Sequence, residues 1–348
     1  MKRGLHVLDP AEIPDQEWRE RVSTLQRTMT AQGIDVALVY ADVSRSDDLA
    51  YLTNLCLYWN EGVLAIPAEG PVTFLTKLSL RVQNWMKASS TVTEFSGGKN
   101  FADLVAKYLL GEKNGTVGLV DAALWPADVA GEIVAAVPGW EVRRLGGLVR
   151  EQRLVPSTAE VELLRAAGRI LDDAAAKATV QGSTAGSRVE TVERALRGGG
   201  FLDLYPTSLS TSDGVTSFGV TGQYRMNWVH SSLVLGDGTG WPGALEAALA
   251  KAIAAAKSGA TVGALAEAAA PALAKLPDGA KAEVRWVNQA DLSTGGEFRT
   301  QDPATVLADG EAGAVSVEVA FADGGHAAVA ETVRVTDGEP EHLTGAQR

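Results

Sequence analysis

Residues suited to chemistry gather in one run of the second half of the chain, Tyr224 to Ser232. Successive side chains of a β-strand point to opposite faces, so Tyr224, Met226, Trp228, His230 and Ser232 are expected on one side. An imidazole changes charge near neutral pH, which lets His230 serve as general acid or base. The competing reading makes it a hydrogen-bonded wall residue. Asp323-Gly324-Gly325-His326 reads as a hairpin turn that leaves His326 exposed, with substrate binding as its other role. Arg299 can hold a substrate carboxylate with its planar fork, or lie solvated. Four histidines and one cysteine leave few soft ligands for a metal. Cys56, between Leu55 and Leu57, reads as a small core residue. The chain contains no GxSxG, HExxH or GxxxxGK[ST] pattern, and no GxGxxG after a strand.

The elements that must position these residues fall into two parts. Over residues 1–152, Trp18, Val22, Leu25 and Met29 repeat at helical spacing up to Gly33. Short apolar runs follow at Val36–Tyr40, Val63–Pro67, Val72–Leu75, Val117–Val120 and Val142–Leu145. Helical stretches separate them at Ser79–Lys87, Phe101–Leu110 and Pro126–Val137. This alternation predicts an α/β domain with helices packed on a parallel or mixed sheet. Over residues 153–348 a phrase repeats. Ser157 and Glu160 form a capping box opening a long helix, and a second helix stops at Gly198–Gly200 before the β-rich run 204–235. An Ala-rich helix near 244–257 and another opened by Thr261 then precede β-rich runs at 282–287 and 315–335. Two helices followed by antiparallel strands, written twice, predict a pseudo-two-fold α+β domain.

Composition excludes several classes. The chain has 348 residues, 46% of them apolar and 21% charged, which fits a globular protein of about two domains. Thirty-one basic against 43 acidic residues give a net charge of −12, so phosphate backbones and anionic lipid would repel it. Neither nucleic acid nor membrane is an expected partner. No apolar stretch reaches the roughly 20 residues of a bilayer span, and the single cysteine fits a reducing cytoplasm.

In order along the chain, several pieces resemble the creatinase / aminopeptidase P / methionine aminopeptidase superfamily, whose catalytic half has the pita-bread fold. Gly33-Ile34-Asp35-Val36-Ala37-Leu38-Val39 and Asp48-Leu49-Ala50-Tyr51-Leu52-Thr53-Asn54 are similar to its strand and "YLTG"-type segment. Leu148-Val149-Arg150 through Glu160-Val161 and Leu164-Arg165-Ala166-Ala167 resembles "lR-x-K-s-x-x-E-i-x-x-l-R-x-A". Val315-Ser316-Val317-Glu318 resembles "f-s-x-E-P". Ala330-Glu331-Thr332-Val333-Arg334-Val335-Thr336 with Leu343-Thr344 resembles "i-E-d-T-v-l-V-T…L-T". The resemblance implies a shortened pita-bread domain after the α/β domain, and a homodimer. It also implies an N-domain segment, Arg45-Ser46-Asp47-Asp48, that can reach a second subunit's site, with a plain helix cap as the alternative.

The departures matter as much. Metallopeptidases of that family hold two metal ions with two aspartates, a histidine and two glutamates. Here Trp228 stands at the second aspartate, the first falls near Ser217, and Arg285–Arg299 contains no histidine. Glu318 and Glu331 are the carboxylates the resemblance retains. The expectation is a metal-free, cofactor-free pocket in which Glu331 and Glu318 assist His230. Tyr224, Trp228, Arg299, His326 and Arg45 would bind a small amino-acid-like or guanidino-like substrate. Turnover of a C–N bond or proton transfer is one function; non-catalytic binding of a small molecule or peptide is the other, and a true metallopeptidase a third.

Overall fold

Short runs of Val, Leu, Ile and Ala bounded by Gly, Pro and charge form the strands of a six-stranded sheet over the first 150 residues. In this computed structural model the described residues are 6–110, 114–178, 184–211, 214–235, 240–294 and 302–345. They belong to two compact units, Met1–Arg153 and Leu154–Arg348.

The N-terminal unit runs α1 (Asp15–Ala31), β1 (Val36–Asp42), α2 (Asp47–Thr53), β2 (Glu61–Pro67), β3 (Thr73–Thr76), α3 (Leu80–Ser89), β4 (Glu94–Gly97), α4 (Phe101–Tyr108), β5 (Thr116–Val120), α5 (Ala127–Ala136), β6 (Glu141–Leu145) and α6 (Arg150–Arg153). Sheet order is β4-β3-β2-β1-β5-β6, with β2 antiparallel to both neighbours and the other pairs parallel. Alternate residues of β1 enter two cores. Ala37 and Val39 join Leu25, Met29 and Leu52, while Leu38 joins Phe101, Leu104 and Ile133. Strand β4 carries no apolar run, because an edge strand paired only with β3 needs no buried face.

The C-terminal unit runs α7 (Thr158–Ala178), α8 (Ala185–Gly198), β7 (Phe201–Ser210), β8 (Thr216–Tyr224), β9 (Asn227–Leu235), α9 (Trp241–Ala255), α10 (Val262–Leu273), β10 (Lys281–Asn288), β11 (Ala312–Ala320), β12 (His326–Arg334) and β13 (Glu341–His342). The capping box closes as expected. The Ser157 amide donates to Glu160 Oε2 at 3.0 Å, and the Glu160 amide donates to Ser157 Oγ at 3.1 Å. Thr184 and Thr261 cap α8 and α10 by accepting from the amides of Ser187 and Ala264.

Sheet order β10-β11-β12-β9-β8-β7, with β13 beside β12, realises the repeat. Each half contributes two helices and then three strands, and the halves meet at β9 and β12. One face carries the helices. Val315, Val317, Val329 and Val333 are buried there with Leu245, Leu249 and Leu265 of α9 and α10. The other face, here called the open face, carries their even-numbered neighbours.

The chain end is a strap beneath α7. Leu343 and Thr344 amides donate to the Thr332 carbonyl at 2.9 and 3.1 Å. Leu343 is buried, and a Cβ added at Gly168 of α7 would overlap its carbonyl oxygen. Arg165 of α7 bonds Glu341 and holds its carboxyl below the ordinary glutamate value. Among the described residues no helix is long and apolar enough to cross a membrane.

Candidate functional site

The hairpin joining β8 to β9 decides which side chains share a face. Arg225 and Met226 form its two-residue turn, both with left-handed φ, 46° and 67°. Gln223 therefore pairs with Trp228 and Tyr224 with Asn227. Period-two alternation holds within a strand and does not pass through this turn. Tyr224 consequently lies on the face opposite Trp228, tilted against Phe201 with ring centroids 5.5 Å apart, and Met226 belongs to the turn. The single face expected for Tyr224, Met226, Trp228, His230 and Ser232 is corrected to Trp228, His230 and Ser232.

His230 sits half-buried in the middle of the open face. Its Nδ1 and the Thr221 hydroxyl share a hydrogen bond of 2.8 Å, which fixes the ring. Its backbone is clamped by one hydroxyl: Thr332 Oγ1 accepts from the His230 amide at 2.7 Å and donates to the His230 carbonyl at 2.8 Å. Thr344 Oγ1 donates to the same carbonyl at 3.3 Å and accepts from the Thr332 amide at 2.8 Å. Side chains also join the two half-sheets nearby. Ser232 Oγ donates to the Ala328 carbonyl, and Ser217 Oγ accepts from the Ala328 amide. Ser217 pairs with Val234, so the short turn places Gln223, not Ser217, across from Trp228.

Glu331 does not meet His230. It pairs with Val315 of the helix face, is buried, and bonds His342 Nδ1 through Oε2 at 2.7 Å. The cause is one residue of spacing. In the "E-d-T" pattern the glutamate precedes the threonine by two and shares its face. Glu331 precedes Thr332 by one, and Ala330 occupies the open-face position. Glu318 does lie on the open face, in register with Ala328 and Glu283. It is half-exposed, beside Arg285 at 3.7 Å, and roughly 13 Å along the strands from the His230 row. The expected support of His230 by both glutamates is therefore not formed.

Trp228 is 1% exposed, under Tyr205 and against Leu292, Ala314 and Val287. It is core plate, not pocket lining. His326 is the exposed first residue of β12, at the hairpin end paired with Ala320. Arg299 lies outside the described residues. Arg45 lies in the N-terminal unit, where its guanidinium donates to the Leu124 carbonyl. Its neighbours Asp47 and Asp48 face Arg153, and burial raises the Asp48 carboxyl above the ordinary aspartate value despite that cation.

Residues that the sequence reading did not single out complete the open face. Tyr205 pairs with Thr221, which pairs with His230, so the three form one row. Asp203 and Gln223 form the next row, beside Trp228. The Asp203-Leu204-Tyr205 alternation carried the signal for two of them. Among the described residues no group of three or more His, Cys, Asp and Glu side chains could hold a metal ion.

Comparison with known proteins agrees with this architecture. Residues 21–155 match the Creatinase/Prolidase N-terminal domain family. The chain is similar to the prolidase of Pyrococcus horikoshii OT3, with 18% identity, a TM-score of 0.75, and coverage of 94% of this chain and 99% of that one. It is similar to the X-Pro aminopeptidase of Thermotoga maritima MSB8, with 17% identity, a TM-score of 0.72, and coverage of 93% and 97%. It is also similar to proline aminopeptidase P II of Yersinia pestis, with 14% identity, a TM-score of 0.71, and coverage of 95% and 96%. No curated protein sequence matches the chain. Residues 21–155 thus resemble the Creatinase/Prolidase N-terminal domain family, and the chain shares the fold of these prolidase and X-Pro aminopeptidase structures, an α/β domain followed by a pita-bread-like domain of helices on an antiparallel sheet.

Proposed function

We propose that the protein is a creatinase/Xaa-Pro-peptidase-like enzyme that works without a metal ion, with His230 as its acid–base group on the open face. The substrate is a small amino-acid-like or guanidino-like molecule, and the reaction is hydrolysis of a C–N bond or a proton transfer. The observation that carries this reading is His230 itself. It is half-buried, oriented by Thr221 and clamped by Thr332, with small side chains on one side of it, Ala314 in its own row and Ser316, Ala330, Ser232 and Gly219 in the row toward Ser232. In hydrolysis the imidazole takes a proton from water as the oxygen attacks the carbon, then returns it to the departing nitrogen.

Metal independence is supported by the donor set. Two divalent cations need several hard oxygen or imidazole donors converging within about 2–2.5 Å of each ion. The corresponding open-face positions carry Trp228, Gln223 and Ala330, and these residues do not fit such a centre. Solved structures of this fold named as prolidases and X-Pro aminopeptidases support a peptide-like, C–N-bonded substrate.

A second reading, a binding protein without turnover, is favoured by Glu331. That carboxylate bonds His342 on the helix face, away from the open face that carries His230. The two readings separate in a turnover assay over dipeptides, N-acyl amino acids and guanidino acids, run with a chelator present. On the first reading some member is turned over, and His230→Ala lowers kcat at least ~100-fold. A variant as active as the parent would remove His230 from the chemistry. Saturable binding of a panel member with no turnover would establish the second reading.

A further inference from the structure

We infer that Thr344 is a positioning residue for His230, and that docking of the chain end, Glu341 to Gly345, controls the His230 site through it. This inference rests on the reading of that site given above and names what holds its strand in place.

Strand β12 has two edges. One is taken along its whole length by β11, from Ala320 opposite His326 to Ala312 opposite Arg334. The other is shared by β9 and the chain end. Ala330 pairs with Ser232 of β9, whereas Val333 and Arg334 pair with His342 and Glu341. The change of partner falls at Thr332, the residue that the β9 register sets opposite His230. Where such a pair turns its amides and carbonyls inward, the two residues exchange both N–H···O=C bonds. Here the Thr332 amide donates to Thr344 Oγ1, and its carbonyl accepts from the Leu343 and Thr344 amides. The His230 amide and carbonyl meet hydroxyls instead: Thr332 Oγ1 bonds both, and Thr344 Oγ1 donates to the carbonyl.

A hydroxyl has one proton to give and two lone pairs to accept with, so two threonines suffice for this junction. Both are fully buried, and bulk water cannot stand in for a lost hydroxyl. Thr344 reaches the junction only while the chain end is docked on α7. Glu341 bonds Arg165, the Leu343 carbonyl lies against Gly168, and the Gly345 amide donates to Asp172 Oδ1 at 2.9 Å. Contacts thus run without a gap from α7 through the chain end to the His230 backbone. A strap lifted from α7 takes the Thr344 hydroxyl with it and leaves the Thr332 amide to turn toward the His230 carbonyl. A direct backbone bond is shorter than one bridged by a side chain, so β9 is drawn toward β12. The His230 ring, tied to β8 by the Thr221 hydroxyl, is displaced by that step.

Histidine NMR of the full chain tests this, because its four histidines report on different places. His342 lies on the strap, His230 at the junction, His326 at the far end of β12 and His6 in the N-terminal unit. Ring carbon-13 labelling gives their Cε1–H signals, each assigned by its loss in a single His→Gln substitution. Thr344→Val keeps the side-chain shape without the hydroxyl and should move the His230 signal; Thr344→Ser should return it to the parent position. Gly168→Ala should move the His342 and His230 signals together. The His6 and His326 signals should hold throughout, which shows that each variant is folded. Should Gly168→Ala fail to fold, the two Thr344 variants decide alone. In the turnover assay Thr344→Val should lower kcat ~10-fold or more and leave KM within about threefold of the parent. Any one of four results would overturn the inference: an unmoved His230 signal in Thr344→Val, an equal displacement in Thr344→Ser, a moved His342 signal beside an unmoved His230 signal in Gly168→Ala, or no movement of either there. Undiminished turnover in His230→Ala removes the role of His230 in the chemistry and leaves the positioning contact standing. Lost turnover in His230→Ala with an unmoved signal in Thr344→Val does the reverse.

Discussion

Gly168→Ala should destabilise the C-terminal unit by about 2–4 kcal/mol, against the usual direction for a helical glycine. In a helix interior that exchange alone is worth about 1 kcal/mol in favour of alanine. At this position the new methyl meets a backbone carbonyl, that of Leu343, which has no rotamer to escape into. The strap must move away, exposing the buried Leu343 side chain at a cost of about 1.5–3 kcal/mol. Its two amide bonds to the Thr332 carbonyl go with it, each worth about 1 kcal/mol. The loss outweighs the gain in helix propensity. Native-state hydrogen exchange of the β12 amides measures it, and removal of residues 341–348 from the variant should cost little more, because the strap is already displaced. A variant as stable as the parent, or more so, would mean that the chain end does not dock under α7.

Trp228→Ala should cost about 3–5 kcal/mol, the range for emptying a fully buried aromatic site. The ring fills the space between Tyr205, Val287, Leu292 and Ala314, and no polar contact of the variant could replace that packing. Trp228→Phe keeps an apolar ring and should lose less than half as much. Denaturant midpoints of the C-terminal unit measure both. This experiment also separates the two roles the sequence allows. A tryptophan lining an open pocket would cost about 1 kcal/mol or less when truncated and would change ligand binding alone. Loss of stability confirms the plate; a stable Trp228→Ala protein with altered binding would return the residue to the pocket.

Where the chain follows short-range rules, its structure was legible in advance. Strands β1, β2, β3 and β5 of the N-terminal sheet begin and end within a few residues of the apolar runs, because each of these runs is buried on both faces and bounded by breakers. The Ser157–Glu160 box and the repeated helix pairs of the C-terminal unit are local patterns of the same kind. The candidate site was legible only in part, since its face assignments depend on single residues of register. Arg225 and Met226 adopt left-handed φ without the Gly or Asn that marks such a turn, so nothing in the run from Tyr224 to Ser232 announced the reversal. Glu331 sits one residue nearer its threonine than the pattern it resembles, which sends it through the sheet to His342. Trp228 was read by residue type as a lining aromatic, but the cover supplied by Leu292 is a tertiary contact with no counterpart in local spacing. Tyr205, on the edge strand β7, alternates with Asp203 but matches no residue of the patterns the chain resembles.

The central claim is that the open face works without a metal ion, and the metal content of the purified, untagged protein tests it most directly. Elemental mass spectrometry should find less than about a tenth of an equivalent of manganese, iron, cobalt or zinc per chain, since the described residues offer no converging set of donors. About one to two equivalents, retained through dialysis and accompanied by hydrolysis of Xaa-Pro dipeptides, would contradict the account and make the protein a metallopeptidase.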